Sequence, residues 1–308
     1  MTSTTRQQRV WDNATTIDRR GKRVQTSRQY AAEALGLIHI PIAAVCISER
    51  STLVDTTFFA GVRISETELS TGAVIGLPVR YYDWSAIMAH FPASAAALQK
   101  LLPSDKLKPA QLVPGTGILS LVAMEYRRLA DVEPYNEFGI MVPVLYEPAV
   151  NIPGLPLLFP HRSTRFGFYV HHLPVTTQAA CDFGVEIWGY PKFVAEISFE
   201  DTDRTRRCRL RADGKSIATL EVAKSATRVR PMDLFSYTVK DGQLLRTQIQ
   251  AQGQLSIPRF RGGASCDLGD HPIAEELRAL GVRRTAVERL YAPQVQSMLH
   301  PASMRWPL

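Results

Sequence analysis

The segment Glu186-Ile187-Trp188-Gly189-Tyr190-Pro191-Lys192-Phe193-Val194-Ala195 holds a single lysine among aromatic and aliphatic residues. An ammonium ion in such surroundings is poorly solvated, which disfavours the charged form and leaves a free amine nearer neutral pH. A free amine is a nucleophile. With a ketone or aldehyde it forms a Schiff base, whose protonated nitrogen accepts the electrons released when a bond to the neighbouring carbon breaks. Gly189 and Pro191 predict a tight turn that fixes where Lys192 points. Trp188 and Tyr190 suit either a pocket wall for an apolar substrate tail or ordinary core packing. The same composition also suits a lysine at a strand edge, its stem over Trp188 and its head in water.

Other reactive side chains are scattered. His171 and His172 fall in an alternating strand pattern, so they are expected on opposite faces with one ring inward, as a proton-transfer aid or a hydrogen-bonded core group. Adjacent histidines on opposite faces cannot share a metal ion, and no acidic residue stands at a ligand spacing nearby, so no metal is expected. Cys46, Cys181, Cys208 and Cys266 are far apart and form no C-x-x-C, which gives neither a zinc site nor a disulfide framework. They read as buried or incidental thiols of a reducing compartment, and a cytoplasmic location is the expectation. No G-x-G-x-x-G or Walker pattern follows a predicted strand, which argues against nucleotide-dependent chemistry.

The elements that must position these groups are mostly strands. Asp213-Gly214 and Asp241-Gly242 each stand between alternating runs, which is the signal of a hairpin and hence of antiparallel sheet. FGFYVHH (166–172) and VAEISFE (194–200) add strands. A short helix is predicted over 93–102, between Pro92 and Pro103, and an amphipathic one starts at Asp270-x-Pro272, carries Ile273, Leu277 and Leu280, and stops at Gly281. The class is α+β with antiparallel sheet dominant.

The whole chain has 308 residues, 45% hydrophobic and 21% charged, which excludes a wholly disordered protein. Its net charge of +7 sits mainly in residues 1–28, where seven basic residues face Asp12 and Asp18. The rest carries about +2, too little for a dedicated phosphate-binding face, so no nucleic-acid partner is expected of the main body. Residues 1–28 lack apolar periodicity and predict a disordered or loosely docked basic arm; residues 29–71 read as an extension packed on a main domain over 72–308. The apolar run 34–48 is interrupted by His39 and Pro41 and is shorter than a membrane span, so it reads as core or buried strand, with no membrane partner.

Glu-Ile-Trp-Gly-Tyr-Pro-Lys at 186–192 resembles the lysine motif of the acetoacetate decarboxylase family, in which an acidic residue and a few apolar residues precede aromatic-Pro-Lys-Lys. That enzyme is a known example of a lysine activated by a neighbouring cation. Val79-Arg80-Tyr81-Tyr82, with the helix and Leu101-Leu102-Pro103 after it, is similar to the family's early strand and helix. The stretch from Pro134 to Pro143 resembles the one that carries its proton-handling glutamate. The resemblance covers about residues 72–305. It implies an acetoacetate decarboxylase-like β-barrel or cone with a few short helices, assembled as a homo-oligomer and working without a cofactor.

By the same resemblance Lys192 is the Schiff-base lysine, Arg80 the cation that engages a substrate carboxylate, and Glu137 the carboxyl group that relays protons. Glu186, Trp188, Tyr190 and Phe193 are placed around the substrate. Read without it, Arg80 suits a surface pair with Asp83, and Glu137 a solvated loop. Two departures stand out. Phe193 takes the place of a second lysine, and a further acidic residue expected near Leu121 to Met124 has no match unless Glu125 substitutes with shifted register. The implied activity is a Schiff-base lyase acting on a small keto acid, by decarboxylation or by aldol or dehydration chemistry through the same iminium. The alternative is a non-catalytic module that binds an acidic small molecule with Lys192 protonated.

Overall fold

The computed structural model describes residues 56–159, 165–258 and 262–308, with the backbone of two short earlier strands. Two compact units divide the chain, Met1–Ser51 and Thr52–Leu308. In the first, β1 (Thr15–Ile17) and β2 (Arg23–Gln25) pair antiparallel with Thr16 opposite Val24. The rest of the basic arm, Cys46 and the apolar run 34–48 lie outside the described residues.

In the second unit, β3 (Ser65–Glu68) and β4 (Val74–Leu77) form a hairpin that leads into the long β5 (Val79–Ser94). The chain continues through α1 (Ala95–Gln99), β6 (Leu107–Pro109), β7 (Gln111–Val113), β8 (Thr116–Leu129) and β9 (Tyr135–Tyr146). Next come α2 (Leu155–Leu158), β10 (Phe166–His172) and α3 (Gln178–Trp188). Three strands follow as a meander, β11 (Glu196–Asp201), β12 (Thr205–Ala212) and β13 (Lys215–Ala223), then the hairpin of β14 (Arg228–Lys240) and β15 (Gln243–Ser256). β16 (Ala264–Leu268), α4 (Pro272–Ala279) and β17 (Glu288–Pro307) complete the chain.

Strands β9, β10, β14, β15, β17, β5 and β8 pair in that order, and β8 pairs back onto β9, closing a seven-stranded barrel. The pairings round it are antiparallel except β10 with β14. A second sheet, ordered β11-β12-β13-β16, covers part of the outside. The fold is therefore α+β and sheet-dominated, a closed barrel with a few short helices. Because the wall has apolar cover on both sides, its strands lose simple polar alternation. On β8, Leu119, Leu121 and Ala123 join the cluster shared with the second sheet, whereas Val122 and Tyr126 join the interior cluster.

Both Asp-Gly turns form as expected, with φ of +51° and +72° at Asp213 and Gly214 and +49° and +70° at Asp241 and Gly242, the pattern of tight hairpin turns. The helix expected over 93–102 shrinks to α1 because β5 keeps pairing with β8 as far as Ser94, whose hydroxyl accepts from Ala97 N. At α4 the cap is His271, not Asp270: Nδ1 of His271 accepts from Ile273 N, while Asp270 accepts from Ser216 N. The opposite-face reading of His171 and His172 is overturned. A register shift between Val170 and His172 brings the two rings together, their centroids 4.3 Å apart. Among the described residues, no helix is long and apolar enough to cross a membrane.

Candidate active site

The lysine segment is held by a helix and a turn. α3 starts at Thr177, whose hydroxyl accepts from Ala180 N, and ends at Gly189 in the left-handed region at φ +66°. Glycine is required there twice over, by its φ and because a Cβ would collide with the carbonyl oxygen of Val239. Past Gly189 the chain is pinned to the segment that follows β10: Leu173 N donates to Pro191 O at 3.1 Å, and Val175 N to Phe193 O at 2.9 Å. Tyr190 and Lys192 face the barrel interior, while Phe193 packs against the cluster outside the wall.

The Lys192 side chain is 3% exposed and that of Glu137, on β9, 7%; their Nζ and Oε2 lie 2.7 Å apart. Nζ also donates to Ala180 O at 3.1 Å and sits 4.9 Å from the Phe183 ring centre and 5.4 Å from that of Tyr135. A Cβ on Gly184 would come within 2.5 Å of Lys192 Cε, so this helix position must be bare for the lysine stem to pass. Tyr126 Oη donates to the other Glu137 oxygen at 3.3 Å, and Tyr190 Oη pairs with Ser236 Oγ at 2.7 Å. Burial, with the Glu137 carboxylate adding to it, pushes Tyr81 and Tyr126 well above the ordinary tyrosine range. Burial also raises Tyr135 and Tyr190, so the phenols around the pair are neutral donors at any working pH.

Lys192 and Glu137 open onto a cavity of about 650 Å³ inside the barrel, shared with Tyr81, Trp84, Tyr126, Phe183 and Tyr190. Farther along, Met88, Val122, Met141 and Val170 make its walls apolar. Trp84 Nε1 is buried without a hydrogen-bond partner on this wall, an orphan donor of a kind folded proteins seldom leave.

His90 also lines the cavity and shares a hydrogen bond of 2.7 Å between its Nδ1 and Ser120 Oγ. Burial lowers its pKa to about 4. The unfolded chain therefore binds this proton near pH 6.5 and the folded protein only near 4, so the stability contributed by the neutral His90 ring is complete above about 6.5 and is lost as pH drops towards 4. The expected loss is about 1–3 kcal/mol, the lower end allowing for water in the cavity. Urea unfolding at pH 7 and 4.5 checks this: His90→Gln is expected to reduce the difference by that amount, the lowered carboxyls of Glu125 and Glu276 accounting for part of the rest.

Of the side chains singled out from the sequence, Lys192, Glu137 and Tyr190 meet at one place. The others do not join them. Arg80 does not line the cavity, because its neighbour Tyr81 takes the inward position on β5; the guanidinium lies 6.0 Å from the Tyr82 ring centre. Asp83 pairs with Arg127 rather than Arg80. Trp188 is fully buried in the core beneath α3 and donates to His300 O at 2.8 Å, so it is a support and not a wall. Glu186 is on the exposed side of α3, where it accepts from Ser70 N at 2.8 Å and Ser70 Oγ at 2.5 Å. Phe193 lies behind the wall, so the second-lysine position also faces away from the lysine pocket. Glu125 points outward to Arg206, Arg127 and Ser85, and Met124 occupies the inward position beside it.

Tyr81, Trp84, Tyr126, Phe183 and Gly184 were missed as site residues. For Tyr126 a signal existed, since Val122, Met124 and Tyr126 share one face of an alternating strand.

The family described as acetoacetate decarboxylase matches residues 67–301. No curated protein matches. Among solved structures, the chain is similar to the acetoacetate decarboxylase from Legionella pneumophila subsp. pneumophila str. Philadelphia 1, with TM-score 0.51 and 16% identity over 84% of this chain and 98% of that one. A second acetoacetate decarboxylase gives TM-score 0.50 and 15% identity over 75% and 89%. The enduracididine biosynthesis enzyme MppR, complexed with pyruvate, gives 0.52 and 12% over 75% and 90%. At these identities the structural likeness is one of fold; the match over most of the sequence goes further, and the chain belongs to the acetoacetate decarboxylase family.

Proposed function

We propose that this protein is a Schiff-base lyase for a small keto acid, working without an added cofactor, with Lys192 as nucleophile and Glu137 as its proton partner. The observation that carries the reading is an almost fully buried lysine, 2.7 Å from a carboxylate, on the wall of a closed barrel's cavity. Glu137 takes a proton from Nζ, and the freed amine attacks the substrate ketone. Water leaves and a protonated imine forms. With a β-keto acid the bond to the carboxyl carbon then breaks, its electrons run into the C=N⁺ group to give an enamine, and carbon dioxide departs. The proton taken from Nζ has left in the water, so Glu137 takes up another from solvent and delivers it to the enamine carbon, and hydrolysis frees the ketone and the lysine. Aldol or dehydration chemistry uses the same iminium, and MppR, of like fold, has been captured with a condensation product of pyruvate and imidazole 4-carboxaldehyde.

Arg80 has no part in this scheme. Trp84 Nε1 and the neutral phenol of Tyr81 are the donors available to substrate oxygens near the lysine, the Tyr126 hydroxyl being engaged by Glu137. A second reading is favoured by one observation: the Ala180 carbonyl and the Phe183 ring are contacts that suit an ammonium ion, as a module binding an acidic ligand requires.

Borohydride trapping with a panel of keto acids, acetoacetate and pyruvate included, followed by peptide mapping, tests the proposal. A mass gain at Lys192 equal to the trapped carbonyl compound less one oxygen atom supports it, and carbon dioxide release then separates decarboxylase from aldolase. Ligand binding with no adduct from any panel member moves the binding module to the front. Tyr126→Phe removes the bond that orients Glu137, worth about 1 kcal/mol, and is expected to lower turnover about five-fold. Steady-state kinetics check this, with KM near the parent value. The homo-oligomer proposed from family membership is tested by light scattering.

A further inference from the structure

We infer that His171, His172 and Glu276 form a site for a divalent transition metal of the zinc type, with the barrel wall on one side and α4 on the other. Two imidazoles and a carboxylate are a borderline-soft ligand set that suits zinc better than magnesium or calcium. Such a pair of adjacent histidines normally diverges on a strand. Here the bulge between Val170 and His172 brings the rings together, and both Nε2 atoms converge on one carboxylate, His171 at 2.5 Å from Oε1 and His172 at 3.1 Å from Oε2 of Glu276. One ligand atom from each residue lies within 4.8 Å of the others. Among the described residues no other set of three such side chains converges in this way.

A tetrahedral zinc ion with bonds of about 2.0–2.1 Å needs ligand atoms roughly 3.3 Å apart. A retreat of the Glu276 carboxylate from His171 by about 1 Å opens that space. The Glu276 side chain is 32% exposed, which leaves room for the retreat and for water at the fourth position. On binding, each neutral ring carries its proton on Nδ1 and ligates through Nε2. The neighbouring His271 is engaged elsewhere, its Nδ1 capping α4 and its Nε2 3.5 Å from Asp213. The ligands come from β10 and α4, so the ion would clamp the helix to the barrel. His172 also lies ring to ring with Phe193, 6.5 Å between centres, which sets the clamp behind the lysine segment.

The test is calorimetric titration of the chelator-treated full chain with zinc chloride. One equivalent is expected at micromolar affinity or tighter, weakened at least about 30-fold in His172→Asn and in Glu276→Gln and unchanged in His271→Ala. Cobalt(II), added to the unmutated chain, is expected to give the visible absorption bands of a four-coordinate ion, a readout that needs no variant to fold. Zinc binding weaker than about 1 mM, no cobalt bands, or an affinity unmoved by both ligand variants would overturn the site.

Discussion

Lys192→Ala is expected to lower turnover of any accepted keto acid by about 10⁴-fold or more and to abolish borohydride trapping, because among the described residues Lys192 is the one lysine that lines the cavity. The variant has a second effect that must be separated from the first. It strands Glu137, 7% exposed, without its cation, and breaking a buried pair from one side costs about 3–5 kcal/mol. A lower melting temperature would then accompany the lost activity. The double variant Lys192→Met, Glu137→Gln removes both charges together and is expected to recover most of the stability and none of the turnover. Lys192→Arg separates charge from nucleophilicity. Arginine keeps the positive charge beside Glu137 and cannot form a Schiff base, so a folded, inactive Arg variant fits the lyase, whereas the binding module predicts that it still holds an acidic ligand. Rates, adduct mass and thermal unfolding of the three variants together decide the matter; turnover above about a hundredth of the parent in Lys192→Arg would remove the lysine from the chemistry.

The lysine could be found in the sequence because its surroundings are local: aromatic and aliphatic residues flank it within a few positions, and the family motif is continuous there. The Asp-Gly hairpins were legible for the same reason, since two residues with positive φ fix both the turn and the pairing of the strands beside it. Barrel closure was not written in any such local pattern. It depends on β8 and β9 pairing with each other while the same two strands bound the rest of the sheet, and on which face of each strand ends inside. Arg80 shows how fine that choice is, because one residue of register separates it from Tyr81, which has the inward place. The bulge that unites His171 and His172 was equally hidden, and it overturned an inference from perfect alternation. α3 escaped because Gln178–Trp188 mixes small, polar and aromatic residues; its buried positions Ala180, Phe183, Gly184 and Trp188 have helical spacing only once the helix is assumed. Trp188 then moves from a supposed pocket wall to the core, and Gly184 from an unremarked residue to a neighbour of the lysine.

Gly184→Ala turns that last point into an experiment, since local propensity and site geometry pull in opposite directions. In a helix interior alanine is favoured over glycine by about 0.5–1 kcal/mol, so backbone energetics predict a variant as stable as the parent or more so. The new methyl would stand 2.5 Å from Lys192 Cε, 2.6 Å from Cδ and 2.9 Å from Nζ, and none of these can remain where it is. The lysine is the flexible partner and the helix the stiff one, so the side chain moves and Nζ leaves its place 2.7 Å from Glu137. A misplacement of about 1 Å in a reacting group costs about 10²-fold in rate. The expected variant is therefore folded, with a melting temperature within a few degrees of the parent, and at least about 10²-fold slower. Burial of the lysine is kept and only its aim is lost, which separates geometry from desolvation as the source of reactivity. Comparison of kcat, melting temperature and the rate of borohydride trapping checks this. Full activity in Gly184→Ala would mean that the lysine works from a position other than the one against Glu137.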